Sequence, residues 1–336
     1  MSNLIKKFQD ISHQYNLWAK GSKIVLGVSG GPDSICMLDI FAKLAPKYGL
    51  KLIIAHVNYG LRGKDSDLDQ KLVEKYASRN KLKLVVFKPK VFSRSSASIS
   101  RNDQKKPSFS SRKLPSENQL REIRYDFFEK IRAKNKFDYI AVGHTLDDQA
   151  ETYLMRIIRG SGMAGMSAMK HKTNCIIRPL LGIAKKEILE YLDRTDRTYR
   201  IDKTNKEIPF LRNKIRNELI PLLEKKYNPN IKETLYKSSL NIAKDYDLIS
   251  EIAEDFYRKN KKLKASAILK LHPALQKRVI FKAIENVKPD LKDIESAHIN
   301  EVLKILKSAK SKRQVVKFQG LKITRKGDKI TISLIK

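Results

Sequence analysis

Ser29-Gly30-Gly31-Pro32-Asp33-Ser34 is the sharpest chemical pattern in the chain. Two glycines let a backbone turn tightly and approach a ligand closely. The loose N–H groups of such a loop, with the dipole of a helix starting at its end, favour an anion such as pyrophosphate. Ser29 and Ser34 add hydroxyl donors, and Asp33 is a carboxylate suited to Mg²⁺ beside a phosphate. The plain alternative is a helix start: glycines for the turn, Pro32 early in the helix, Asp33 and Ser34 in its first turn. The pattern is neither a Walker loop, which needs Gly-Lys-Ser/Thr, nor G-x-G-x-x-G.

A second group of reactive residues is Asp147, Asp148 and Glu151. Asp148 and Glu151 are spaced i, i+3, and Asp147 and Glu151 i, i+4, so all three can share one helix face. Such a cluster can hold Mg²⁺ or the amino groups of a ligand. Its alternative is an acidic helix start that satisfies the dipole. Arg121 and Arg124 can clamp phosphates or the charge that develops in phosphoryl transfer. They can equally line a solvated helix face. His56 and Asn58 close an apolar run, where ordinary strand-end residues also fit. Arg178, Arg212 and Arg216 fall in a stretch that could grip a nucleic-acid backbone. Cys36 and Cys175 sit among apolar neighbours, and core packing is the default for both.

These residues need elements to position them. Residues 1–22 read as an amphipathic helix ended by Gly21. Lys23–Ser29, Lys51–Asn58, Lys83–Phe87 and Asp138–Gly143 read as buried parallel strands, with Asn174–Arg178 a fifth. Helices are expected from Asp33 to about Leu44 and over Asp65–Arg79. Strands alternating with helices argue for an α/β fold: a parallel, Rossmann-like sheet with helices on both faces. Ligands bind such sheets beyond the carboxyl ends of the strands. Residues 88–118 interrupt the pattern. From Lys88 to Lys113 there are eight Lys/Arg and one acid, which reads as a flexible basic loop. Long helical patterns run from Arg212 to about Leu306. Val315–Ile335 alternates around Lys326-Gly327-Asp328 and reads as a β-hairpin. Two domains follow, 1–208 and a mainly helical 209–336.

The chain has 336 residues, 70 Lys/Arg and 36 Asp/Glu, for a formal charge of +34. That excess points to a polyanion, with nucleic acid ahead of a membrane surface; a Lys-rich surface without a partner is the bland alternative. Apolar residues at 41% can fill cores, which argues against wholesale disorder. Two cysteines 139 positions apart exclude a disulfide framework and a CxxC pair. No apolar run nears the roughly 20 residues of a membrane span. No secretory signal shows, so a soluble cytoplasmic protein is expected.

The hexapeptide resembles the PP-loop of the ATP pyrophosphatases, which split ATP between its α and β phosphates. Five further segments together resemble the bacterial tRNA(Ile)-lysidine synthases: His56-Val57-Asn58-Tyr59-Gly60-Leu61-Arg62, Arg121-Glu122-Ile123-Arg124-Tyr125, His144-Thr145-Leu146-Asp147-Asp148-Gln149-Ala150-Glu151-Thr152, Arg159-Gly160-Ser161-Gly162 and Arg178-Pro179-Leu180-Leu181. Asp202-Lys203-Thr204-Asn205 and Leu211-Arg212-Asn213-Lys214-Ile215-Arg216 match two more stretches. Asn58 and Tyr59 depart from the usual H-V-D-H-G-L-R, and Leu120 replaces the alanine before Arg121.

The resemblance implies ligation of lysine to carbon 2 of the wobble cytidine of the CAU-anticodon isoleucine tRNA, giving lysidine. ATP first adenylates the cytosine oxygen, and Mg²⁺ assists. It implies Ser29–Ser34, His56 and Asn58 for ATP and pyrophosphate, and Asp147, Asp148 and Glu151 for lysine. Asp33, Asp148, Glu151, Arg121 and Arg124 would serve catalysis, and Arg178, Arg212 and Arg216 tRNA. It also allows a homodimer. The rival expectations are a tRNA thiolase, which usually needs sulfur-carrying cysteines, and a non-catalytic basic RNA-binding protein.

Overall fold

The structure is a computed structural model that describes residues 3–89, 116–201, 211–289, 294–309 and 312–335. Most of the basic 88–118 loop and the Asp202-Lys203-Thr204-Asn205 stretch lie outside those residues. The chain falls into two compact units, Met1–Ser161 with Ala168–Ser238, and Gly162–Ser167 with Ser239–Lys336.

The first unit is built on β1 (Lys23–Gly27), β2 (Lys51–Val57), β3 (Lys83–Phe87), β4 (Tyr139–Val142) and two two-residue strands, β5 (Lys172–Thr173) and β6 (Ile176–Ile177). Its helices are α1 (Asn3–Gln14), α2 (Pro32–Tyr48), α3 (Lys64–Arg79), α4 (Glu117–Asn135), α5 (Leu146–Ile158), α7 (Lys185–Arg194), α8 (Leu211–Lys214) and α9 (Ile220–Lys226), with a π-helical turn at Ile215–Leu219. The short α6 (Met163–Met166) belongs to the second unit, and α10 (Ile231–Lys259) contributes residues to both.

The sheet order is β3-β2-β1-β4-β6-β5, parallel except for the β5–β6 pair. Period-2 alternation divides each strand between two cores. Ile24, Leu26, Leu52 and Ile54 join the core that includes residues of α1, α2 and α7. Val25, Ile53, Ala55, Ile140 and Val142 face Phe128 and Ile131 of α4. The expected fifth strand is thus a small antiparallel pair turning at Asn174, whose φ of 50° suits Asn. The first helix stops at Gln14, ahead of the expected Gly21, because Asn16 is left-handed (φ 46°). Leu17 and Trp18 still pack on the core.

The second unit gathers α11 (Ala265–Leu269), α12 (Pro273–Val287) and α13 (Ser296–Lys307) around Ile268, Val279, Ile284, Val302 and Leu306. It ends in a three-stranded antiparallel sheet, β7 (Gln314–Phe318), β8 (Leu321–Lys326) and β9 (Lys329–Leu334). The expected hairpin at 326–328 is present, with Gly327 at φ 60° opening its two-residue turn. One more strand joins it through a turn at Gln319-Gly320, where both residues have positive φ. Gln is an unusual residue for that turn, so the pattern did not announce it.

Candidate active site

The strand order reverses direction at β1 and β4, which are neighbours in the sheet but far apart in the chain. Such a switch point opens a crevice beyond the strand ends. The Ser29–Ser34 loop leaves β1, and the His144–Thr152 segment leaves β4, so the topology brings both motifs to that crevice. Gly143 sets their spacing. A Cβ there would lie 3.2 Å from Asp33 C and Ser34 N, closer than ordinary packing tolerates.

The loop is tied internally. Ser34 is buried; its Oγ donates to Gly31 O (2.9 Å) and accepts from Ser29 N (3.1 Å) and Gly30 N (3.2 Å). Gly30 sits at φ +95°, a region open mainly to glycine. Gly31 is the N-cap of α2 and Pro32 follows at its start, so α2 aims its N-terminus at the crevice.

Asp33 points to Lys185, the first residue of α7, with Oδ1 2.5 Å from Nζ. Burial raises its carboxyl to about 6 despite that ammonium, and Asp148 and Asp147 add to the rise. The mutual influence places Asp33 in one electrostatic neighbourhood with the α5 acids.

Each of those acids meets an internal cation. Asp148 Oδ2 caps α5, accepting from Thr145 N (2.9 Å) and Oγ1 (3.0 Å), while Oδ1 accepts from Arg212 (2.8 Å). Glu151, only 2% exposed, is bound by both Arg212 and Arg216 at 2.5–2.8 Å. Asp147 takes the Lys185 backbone N–H (2.7 Å) and the Lys232 ammonium (3.0 Å), which also reaches Glu224. Burial resists ionisation of Asp148, yet Arg212, the Thr145 N–H and Arg216 together hold its carboxyl below the ordinary range.

His144 lies between Asp148 and a group of arginines. Burial, with Arg178, Arg121 and Arg212, pushes it down to about 3 against the pull of Asp148, so the ring is neutral. Its buried Nδ1 and the buried Nε atoms of Arg124 and Arg178 have no partner. Arg121 stacks over Tyr125 at 5.4 Å. Arg178 is 6% exposed and donates to Lys170 O (2.8 Å), which holds the turn of β5 and β6.

His56 and Asn58 end β2 apart from these charges. His56 Nδ1 lies 2.8 Å from Val28 O, immediately before the loop, and its buried Nε2 is unpartnered. Asn58 is turned to α3, donating to Asp67 (3.0 Å) and Gln70 (2.9 Å) and accepting from Gly60 N (3.0 Å). Residue patterns missed Lys185, Lys232 and His144. Lys185 and Lys232 carry no local signal, whereas His144 stood inside a matched motif. Cys36 is core, its thiol pushed up by burial; Cys175 lies against Glu129.

Comparison with known proteins agrees with this geometry. A family model described as "PP-loop domain" matches residues 1–223. A tRNA(Ile)-lysidine synthase of Clostridium tetani is 35% identical over 308 residues, covering 89% of this chain and 63% of the relative. One of Clostridioides difficile is 32% identical over 330 residues, covering 96% and 68%. The chain therefore spans about two thirds of the length of these relatives. The solved U34-tRNA thiolase NcsA of Methanococcus maripaludis, with its 4Fe-4S cluster, superposes at TM-score 0.54 and 18% identity, over 71% of this chain and 78% of that one. At that identity the likeness speaks for the fold alone. No helix among the described residues is long and apolar enough to cross a membrane. An ATP-type phosphate loop meets an acid-bearing helix at the switch point, and close relatives cover nearly the whole chain: it belongs to the PP-loop proteins and, among them, to the tRNA(Ile)-lysidine synthase family.

Proposed function

We propose that the chain joins free L-lysine to carbon 2 of the wobble cytidine in the CAU-anticodon isoleucine tRNA. The cytosine 2-oxygen attacks the α-phosphorus of ATP and pyrophosphate leaves. The lysine ε-amine then adds at carbon 2, loses a proton, and AMP departs with the oxygen. One observation carries this reading: the phosphate loop and the α5 acids stand together at the switch point, where Gly143 packs on the Asp33–Ser34 backbone.

The roles follow from the contacts. The Ser29–Ser34 loop and the α2 N-terminus bind the pyrophosphate portion. His56, beside Val28, faces the adenine side. Arg121 and Arg124 offset charge on the α-phosphate as the cytosine oxygen attacks. Asp147, Asp148 and Glu151 receive lysine, whose ammonium takes a seat now filled by Lys232 or an arginine. Asp33 at about 6 is a better proton acceptor than Asp148, whose ionised form is the more stabilised.

Among the described residues no group of three or more His, Cys, Asp or Glu could hold a metal by itself. Mg²⁺ commonly binds through one or two carboxylates and substrate phosphates, and Asp33 beside the loop fits that pattern. There it would neutralise phosphate charge. Exposed lysines and arginines of the +34 chain grip the tRNA backbone, and Arg212 and Arg216 join them when their acids accept lysine.

The test is AMP release from ATP by the purified protein, with and without that tRNA and lysine. Dependence on both, with lysine entering the tRNA, is the expected result. AMP formed without lysine uptake sinks the acceptor assignment. Affinity for tRNA should fall steeply with salt, by roughly one log unit per log unit of salt for each phosphate neutralised; a flat response removes tRNA as the partner of the charge.

A further inference from the structure

The phosphate loop is braced by a group that none of its own motif residues supplies. Asp69 of α3 is 6% exposed and packs directly against Gly30: a Cβ on Gly30 would stand 3.4 Å from Asp69 Cβ and 3.5 Å from its carbonyl oxygen. The Asp69 carboxylate holds two arginines. Oδ1 accepts from Arg200 Nε and Oδ2 from Arg62 Nη2, each at 2.6 Å. Arg200 also donates from Nη2 to Asp65 (2.6 Å). With its side chain fixed in this way, Arg200 donates its backbone N–H to Gly30 O at 3.1 Å.

That last bond orients the loop. In a planar trans peptide the carbonyl and the following N–H point in opposite directions. Anchoring Gly30 O on Arg200 therefore turns the Gly31 N–H the other way, to the side where it meets Ser29 Oγ at a long 3.3 Å. A main-chain donor held so loosely can be redirected to a phosphate oxygen at little cost, while the carbonyl, which would repel that oxygen, is held back.

We infer that Asp69 and Arg200 are positioning residues that set the affinity of the loop for the ATP phosphates without touching them. The inference rests on the reading that this loop binds those phosphates. Arg62 steadies the same carboxylate and makes it costly for Asp69 to turn away, because a buried carboxylate needs its partners. The arrangement spans three separate segments: the turn after β2, α3 and the irregular stretch after α7. It is distinct from a simple stability contact, since its end point is one peptide group of the binding loop.

Asp69→Asn and Arg200→Ala test this in the full chain. Calorimetric titration with ATP and with inorganic pyrophosphate would be run beside urea unfolding and the KM for lysine. Each variant is expected to weaken both phosphate ligands about tenfold, the scale of one lost charge-assisted hydrogen bond. The double variant should be little weaker than either single, because both act through one carbonyl. The KM for lysine should move less than about twofold, since that site shares no partner with the clamp. A purely structural role predicts lower stability with wild-type affinity in the folded fraction, and that result overturns the inference. If Asp69→Asn does not fold, the partly exposed Arg200→Ala decides alone. Absence of ATP and pyrophosphate binding in the wild type overturns the loop reading itself; wild-type binding with unaltered variants overturns only the clamp.

Discussion

The phosphate loop and the α5 acids lie a few residues from one another in space, yet they are built in opposite ways. The turn of the loop is tied largely by its own neighbours, with Ser34 bonded to Ser29, Gly30 and Gly31, all within five positions, and Arg200 bracing it from outside. The acids are answered from afar. Arg212 lies 61 positions from Glu151 and 64 from Asp148 in the chain. The loop is ready for a ligand, whereas the acids already hold substitutes for one. Their proton affinities diverge as well: Asp33 is raised to about 6, and Asp148 is lowered. On the proposed function, a short site thus combines a preformed anion cradle with a cation seat that opens by exchange.

Removing the charge on the loop side should have the largest effect. Asp33→Ala is expected to lower AMP release by about a thousandfold or more, the scale of losing a key electrostatic group, with an unchanged circular-dichroism spectrum. Activity within about threefold of wild type would erase the distinction between the two regions. On the acid side, Glu151→Gln should cost about 3–5 kcal/mol in urea unfolding, because Arg212 and Arg216 lose a buried partner. A loss below about 1 kcal/mol would show that water replaces Glu151 easily.

The third prediction uses pH, where the two regions should act with opposite sign. A raised carboxyl contributes stability below its unfolded value of 3.8 and loses it as pH rises through about 6. Asp33→Asn should therefore be more stable than wild type above pH 6, by at most about 3 kcal/mol, and less for the part of the side chain that water reaches. Asp148→Asn should do the reverse, removing stability that wild type has above 3.8 and loses in acid. Urea midpoints across pH 3–8 would show parallel curves if the contrast is false. The smallest effect is expected at Gly143. Its replacement by Ala forces Asp33 and Ser34 back by a few tenths of an ångström. A several-fold rise in the KM for ATP, of order 1 kcal/mol, is expected; no change would mean that the spacing is slack.

Residue patterns made the loop readable because its chemistry and its structure share one short segment. They made β1, β2 and β4 readable because strands buried on both faces must be continuously apolar, and the apolar run at 84–87 kept the half-buried edge strand β3 readable too. They exposed the acids, and Arg212 and Arg216 as nucleic-acid contacts, but neither Lys185 and Lys232 nor the pairing of any of the four with the acids, which arises only through tertiary packing. The terminal sheet shows the same limit locally. Gly327 marked its turn, while Gln319-Gly320 adopts an equally tight one with Gln at a left-handed position that usually takes Asn, Asp or Gly.

The pairing of Asp33, Asp147, Asp148 and Glu151 with Lys185, Lys232, Arg212 and Arg216 also separates two length scales. At distances beyond a Debye length of about 8 Å, a polyanion meets only the summed excess of the surface. Within this set, four negative side chains face four positive ones, and their near fields largely cancel one another. A chain of charge +34 would otherwise repel a small cation from its centre. On the proposed function, this local balance reconciles recruitment of tRNA at long range with entry of free lysine at short range.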